Sequence, residues 1–254
     1  MIQCVVNFSG GAGSFVAAVR AIEVYGPEET LLLFCDTRTE DADLYRFLDD
    51  CERVLPAKLV RIEEGRNLWE RGETGGLLGN ARHDPCSLYL KRQLADRWVN
   101  SHCPWAVRVF GIDYSESHRA ERIRKRAQFK SWFPLLEKPH LTKEGQMAEI
   151  RRHGIEPPRL YALGAPHNNC GGACVKAGQA HFRWLYATLP CVYADWERNE
   201  ERLRKHWGKD VSIMTKIRKG VKSTYTLREF RADIEAGLPP GDEEWGGCGC
   251  FVDM

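Results

Sequence analysis

Residues 2–25 read IQCVVNFSGGAGSFVAAVRAIEVY, and the order of chemistries along them sets the fold. Residues 2–8 are a short run of β-branched and apolar side chains, which suits a buried strand. Ser9-Gly10-Gly11-Ala12-Gly13-Ser14 follows as a glycine-rich turn. From 14 to 25 the spacing predicts a helix, with Val16, Ala17 and Val19 inward and Arg20 and Glu23 outward. Gly26-Pro27 stops it. A strand, a glycine-rich turn and a helix N-terminus make an anion site. The first N–H groups of a helix have no intrahelical partners, and its dipole favours negative charge there. Gly10, Gly11 and Gly13 let the backbone approach an oxyanion, and Ser9 and Ser14 offer hydroxyl donors. The loop is not a Walker A motif, because no Gly-Lys-Ser/Thr closes it, and it is not the dinucleotide Gly-x-Gly-x-x-Gly. A tight turn without a ligand is the other reading.

Working outward, LLLFC at 31–35 and KLVRI at 58–62 read as buried strands. Between them, 40–54 is an amphipathic helix with Leu44, Phe47, Leu48 and Cys51 on one face. A further strand falls at 106–111, bracketed by helices at about 87–100 and 116–129. Alternating strands and helices predict an α/β fold, a doubly wound parallel sheet. This nucleotide-binding domain spans 1–135, and a mainly helical, cysteine-bearing extension with a C-terminal tail spans 136–254. Within the extension, helices are expected at 142–153, 178–189, 195–207 and 226–236, the last opened by a Thr226–Glu229 capping box. The Lys- and Arg-rich stretch 201–222 reads as a solvated helical face rather than a nucleic-acid patch. The tail 237–250 reads as loop, with 240–254 folding back over the site.

The chain has 254 residues, 43% of them hydrophobic, enough for one large domain or a domain with a smaller appendage. A net charge of +2 gives no general case for nucleic-acid binding. No apolar run reaches about 18 residues, so no membrane span is expected. The apolar start is too short for a signal peptide, and a cytoplasmic location is expected.

Ten cysteines are more informative. In a reducing cytosol they are not expected to form disulfides. Cys170, Cys174, Cys248 and Cys250 sit in glycine-rich turns, and Cys86 follows Pro85 in a polar turn, so these read as ligands or reactive thiols. Cys86, Cys170 and Cys174, with Cys248 or else Cys250 as the fourth, are the candidate metal set. Thiolates from three distant segments suit a 4Fe-4S cluster, a zinc ion, or no metal at all. Cys4, Cys35, Cys51 and Cys191 lie on apolar segments and are expected in the core; Cys103 fits either class. His167, just before Cys170, suits a ligand, a proton donor to a leaving group, or a structural role in the turn. Lys91, Arg92 and Lys176 read as phosphate or cluster neutralisers, or as solvated helix residues. Asp36 stands at a strand C-terminus, the place for a ligand contact in a doubly wound sheet or for a helix cap.

Ser-Gly-Gly-x-x-Ser after a first strand resembles the pyrophosphate loop of the phosphoadenosine phosphosulfate reductase and ATP-pyrophosphatase (PP-loop) superfamily. Phe34-Cys35-Asp36-Thr37 and Tyr45-Arg46-Phe47-Leu48 agree with it, as do Pro85-Cys86-Ser87 with Leu90-Lys91-Arg92. So do Gly111, Glu116-Ser117 and Arg119 or Arg122, and Ile155-Glu156-Pro157-Pro158-Arg159-Leu160-Tyr161 leading to Cys170. The resemblance covers roughly 2–175 in preserved order, and it is specific as a set rather than piece by piece. The family's Asp before the last loop Ser or Thr, and the Lys before that, are replaced by Gly13 and Ala12. The Asp-Thr-Gly of many reductases is Asp36-Thr37-Arg38.

The resemblance implies an enzyme, either an oxidoreductase acting on sulfur or an ATP-dependent sulfurtransferase. Its nucleotide, phosphoadenosine phosphosulfate or ATP, would be held by Ser9, Gly10, Gly11, Gly13 and Ser14. Asp36, Thr37, Arg38, Lys91, Gly111, Glu116 and Arg119 would surround it. In the first case a tail thiolate, Cys248 or Cys250, is the nucleophile and a thiol reductant protein the partner. In the second, a cluster-bound sulfide passes to a nucleic-acid base or a small molecule. The change to Gly13 keeps open a third reading, a non-catalytic nucleotide-binding module.

Overall fold

The computed structural model describes residues 1–76, 78–80, 83–218, 220–239 and 245–246. Strand β1 (Cys4–Asn7) leads through the glycine-rich turn to α1 (Ala12–Tyr25), so the helix starts two residues earlier than its apolar spacing predicts. Then follow β2 (Thr30–Asp36), α2 (Ala42–Val54), β3 (Lys58–Glu63) and α3 (Leu68–Gly75). A π-helical turn (Ser87–Arg92) runs straight into α4 (Gln93–His102), and β4 (Val107–Val109), α5 (Ser117–Arg126) and β5 (Ser131–Trp132) close the sheet. All five strands are parallel, in the order β3-β2-β1-β4-β5. The doubly wound α/β expectation holds.

Strand alternation feeds two cores. Cys4 and Val6 of β1, with Leu32 and Phe34 of β2, pack with Phe15 of α1 and Leu44, Phe47 and Leu48 of α2. Val5, Leu31, Leu33 and Cys35 face the other way, onto Ala95 and Val99 of α4. Both faces are covered, as a parallel sheet requires. Connections from β1 and β4 leave to opposite faces, so the crevice between their C-terminal ends is the topological switch point, where such sheets bind ligands.

The remainder comprises α6 (Lys143–Arg152), α7 (Arg159–Ala162), α8 (Gln179–Thr188), α9 (Pro190–Trp207), β6 (Met214–Arg218), β7 (Val221–Tyr225) and α10 (Leu227–Glu235). Met147 and Ile150 of α6 join the core beneath α1. A third core gathers Trp69, Phe182, Tyr193, Trp196, Leu203, Met214 and Phe230 from α3, α8, α9, the hairpin and α10. Trp69 and Trp196 meet edge to face at 5.0 Å. The capping box at Thr226 and Glu229 is present.

Three expectations are corrected. The 201–222 stretch is not one helical face: α9 ends at Gly208 (φ 60°) and β6 and β7 form an antiparallel hairpin. Its Lys and Arg side chains hide a strand alternation that carries Met214 and Tyr225 into the core. The α9 helix opens at Pro190, five residues before its predicted start, because proline suits the first turn of a helix. Cys191 therefore lies on an exposed helix face, not in the core. Helix α3 was not anticipated, although Asn67 caps it and Glu70 reaches back to complete a capping box.

Cys4, Cys35, Cys51 and Cys103 are buried. Burial pushes the Cys35 thiol up to about 12, against the opposing charges of Lys91 and Arg108. Burial likewise raises Cys4, Cys51 and Cys103. Alkylation of the native protein followed by peptide mass mapping will therefore label Cys191 early and these four only after unfolding. Early labelling of Cys35 or Cys51 would contradict this core.

Candidate nucleotide and thiol site

Gly11 is the N-cap of α1, and Ser14 stabilises the turn by donating to Gly11 O (2.8 Å) and accepting from Gly11 N (3.2 Å). Ser9 lies 3.4 Å from the Ser14 hydroxyl. The loop is clamped from far along the chain. Asn168 Nδ2 donates to Gly10 O (2.8 Å), and Ala12 N donates to the Tyr161 hydroxyl (3.0 Å). Gly10 takes φ +75°, and a Cβ there would meet Leu44 at 3.0 Å.

A cavity of about 100 Å³ opens at the switch point. Ser9, Gly11, Gly13, Ser14, Lys91, Gly111, Glu116 and Arg119 all line it. So do Asn7, Asp113, Lys143 and His167. Asn7, at the end of β1, donates to Val109 O (3.2 Å), and its Oδ1 is buried without a partner. Three cations therefore face the loop: Lys91, Arg119 and Lys143. Carboxylates of the same cavity pair with the last two of them. Arg119 pairs with Glu116, and Lys143 Nζ lies 3.7 Å from Asp113. Burial works against the Asp113 charge, yet hydrogen bonds from Ser115 and the Lys143 charge hold its carboxyl below the usual range. Burial pushes His167 down to about 4, with Glu116 opposing and Lys143 and Arg119 adding to the shift. The imidazole is neutral at pH 7 and able to accept a hydrogen bond from a bound group.

The residues after β2 take other places. Asp36 Oδ1 accepts from Arg38 N (2.7 Å) and the Tyr45 hydroxyl (2.9 Å), so it braces its own turn; the cap of α2 is Asp41. Arg38, at φ 57°, donates to Gly65 O and sits 3.9 Å from Glu63, away from the loop cavity. Gly10 supports the loop from behind rather than lining its cavity.

Thr37 belongs to a neighbouring small pocket, which also gathers Asp84, Lys91, Lys176 and the three cysteines Cys86, Cys170 and Cys174. Cysteines from positions 86 and 170–174 thus converge on one place. Cys86 lies in a helical conformation (φ −61°, ψ −46°) where a polar turn was expected. Lys91 lines both cavities and pairs with Glu40 at 3.5 Å, with both side chains buried. Glu40, which sequence reasoning missed, also accepts from Cys170 N and from Thr37 Oγ1 (2.9 Å). It ties the β2 turn to the cysteine turn.

Cys248 and Cys250 lie outside the described residues. Just before them, Gly246 bridges Ala177, Gly178 N donates to Trp245 O (2.9 Å), and Trp245 packs on His181 (5.5 Å). That contact begins three residues after Cys174. Among the described residues, no group of three Cys, His, Asp or Glu side chains is arranged to hold a metal ion. Cys86, Cys170 and Cys174 line one pocket. Among the described residues, no helix is long and apolar enough to cross a membrane.

No family model matches this chain, and no curated protein matches it. Among solved structures, the crystal structure of phosphoadenylyl-sulfate (PAPS) reductase from Candida auris, in a phosphate complex, is similar at 14% identity. The match covers 68% of this chain and 82% of that chain, with a TM-score of 0.49.

Proposed function

We propose that the protein binds an adenine nucleotide in the switch-point crevice and carries out sulfonucleotide reduction there. The observation that supports this most is the double role of Lys91, which borders both the anion loop and the pocket of Cys86, Cys170 and Cys174. The phosphates or sulfate of the nucleotide take the α1 N-terminus, and Lys91, Arg119 and Lys143 offset their charge. The Ala12 N–H to Tyr161 hydroxyl bond holds the same helix end. An incoming oxyanion takes that N–H in place of the tyrosine.

In the reductive reading a tail thiolate, Cys248 or Cys250, attacks the sulfur of the bound sulfonucleotide. The new S–S bond forms as the bond from sulfur to the bridging phosphate oxygen breaks, and the nucleoside phosphate leaves with that electron pair. A second thiol then attacks the sulfonated cysteine, releasing sulfite and leaving a disulfide. A dithiol reductant protein reduces that disulfide. Docking of Trp245 and Gly246 beside the cysteine turn favours this reading over the two alternatives.

Sulfur-35-labelled phosphoadenosine phosphosulfate with excess dithiol tests it. Labelled sulfite is the expected product, with at least a hundredfold loss in Cys248→Ser or Cys250→Ser. AMP and pyrophosphate from ATP, without sulfite, would establish the sulfurtransferase reading. Tight nucleotide binding with neither product would establish a binding module. Iron, sulfide and zinc counts on anaerobically purified protein, with and without Cys170→Ala and Cys174→Ala, decide whether the cysteine set holds a cluster.

A further inference from the structure

We infer that His181 and Gly246 are positioning residues for the proposed reaction: they seat the tail against the cysteine turn, two residues of chain before Cys248 and four before Cys250. Their role in turnover rests on the reductive reading; the seat itself does not.

The turn at 170–172 is held from two sides. Cys170, Gly171 and Gly172 take φ of 54°, 65° and 86° in succession. Left-handed backbone is uncommon for a residue with a side chain and persists where its surroundings fix it. Glu40, from the segment after β2, accepts from Cys170 N at the start of the turn. His181 Nε2, in α8, lies 2.7 Å from Gly172 O at its end. A carbonyl only accepts, so this ring nitrogen carries the proton and donates. His181 is buried.

The same imidazole receives the tail. Trp245 meets it edge to face at 5.5 Å. Trp184, whose Nε1 donates to Leu163 O (2.9 Å), lies 5.3 Å from His181 and 6.1 Å from Trp245. Backbone then closes the contact. Gly178 N donates to Trp245 O (2.9 Å), and Gly246 bridges Ala177 in antiparallel fashion. Gly246 takes φ +71°, and a Cβ there would collide with Lys176 O and lie 2.5 Å from Gly178 N. Both obstacles are backbone, so the seat requires glycine. A small pocket lined by Cys170, Cys174, His181, Trp245 and Gly246 shares His167 and Asn169 with the loop cavity. The seat is therefore next to the nucleotide crevice. Two residues of chain span at most about 7 Å, and four about 14 Å. A thiol on so short a tether has a high effective concentration at a target within its reach.

Gly246→Ala, Trp245→Ala and His181→Phe test this in the full chain. His181→Phe keeps a ring under Trp245 and loses the donor to Gly172 O. Hydrogen exchange at Gly178 N–H, followed by NMR, reads the seat directly. It is expected to speed up at least tenfold in Gly246→Ala and Trp245→Ala. Sulfite release from phosphoadenosine phosphosulfate with excess dithiol reads the positioning. In all three variants kcat is expected to fall at least tenfold, with KM for the nucleotide within twofold of wild type, since misplacing a reacting group by about 1 Å costs about a hundredfold. Trp245→Phe keeps an aromatic ring in place and is expected to recover most of the loss. Tyr186→Phe, on the same helix, loses its bond to Glu235 and is expected to leave both readouts unchanged. Unchanged Gly178 exchange in both Gly246→Ala and Trp245→Ala refutes the seat. Faster exchange with kcat unchanged, or with the loss falling on KM, refutes the positioning role. An unchanged kcat in His181→Phe removes His181 from it. If wild type releases no sulfite, the reductive reading fails and the positioning role with it, while Gly178 exchange still decides the seat.

Discussion

Replacing Gly111 with Ala is expected to destabilise the protein by about 3 kcal/mol and to weaken nucleotide binding by at least tenfold. The end of β4 and the first turn of α1 touch through bare backbone. A Cβ on Gly111 would lie 2.5 Å from Gly13 C and O and 2.6 Å from Ser14 N. The reciprocal Cβ on Gly13 would lie 2.6 Å from Gly111 O. Neither obstacle is a side chain that can rotate aside, so the helix N-terminus itself must shift. That shift moves the N–H groups that would hold an oxyanion. Gly145→Ala is the control. Its Cβ meets nothing nearer than 3.5 Å in α6, and it should raise stability by about 0.5 kcal/mol. Thermal unfolding with and without nucleotide measures both. A melting temperature for Gly111→Ala within about 2 °C of wild type would show that the crevice tolerates the methyl group. The same contact gives a physical reason for glycine at position 13. In this packing an acidic side chain there has no room.

Glu200→Ala is expected to cost roughly 4 kcal/mol at pH 6, since each buried N–H left without a partner costs about 1–3 kcal/mol and the lost side chain leaves a cavity. Glu200 is 0% exposed in α9. One carboxyl oxygen accepts from Ile213 N (2.8 Å), the other from Leu227 N (2.6 Å). A single side chain thus fixes both ends of the β6–β7 hairpin and the start of α10. Burial raises its pKa to about 7, while the two backbone hydrogen bonds pull it down. The folded state therefore holds this proton more tightly than the unfolded state, whose value is 4.5. Stability from this group is full below about pH 4.5 and falls as pH rises towards 7. The loss is about 3 kcal/mol over that range at 1.36 kcal/mol per unit. Urea unfolding of wild type and Glu200→Gln at pH 5 and pH 8 isolates it. Wild type should lose its advantage over the variant as pH rises. A difference that stays constant between the two pH values would remove Glu200 as the source.

The strand–turn–helix at 2–25 was legible because each of its signals is local: β-branched residues, then glycines, then apolar spacing at a helical period. The same holds for β2, an unbroken apolar run buried on both faces, for α2, whose apolar residues recur at a helical period, and for β3, which alternates. The hairpin was not legible. Lys216, Arg218 and Lys222 dominate its composition, and its core positions, Met214 and Tyr225, matter only because α9 and α10 stand behind them. Asp36 reads as a ligand contact or a cap from its place at a strand end, and Arg38 as a phosphate partner only through the family resemblance. In the fold they bond to Tyr45 and Gly65, outside the lining of the loop cavity, which local position along the chain does not reveal.

By itself the sequence determined that a glycine-rich turn joins a buried strand to a helix in a doubly wound sheet, because those choices depend on neighbours a few residues away. Only the tertiary structure decided which charges face that turn. Lys91, Arg119 and Lys143 come to the loop from three separate segments, and Asn168 and Tyr161 clamp it from some 150 residues further on. It likewise decided that Lys91 sits between the anion loop and the cysteine pocket. Spacing along a chain carries no information about such meetings, which are set by how the sheet order and the separate cores pack.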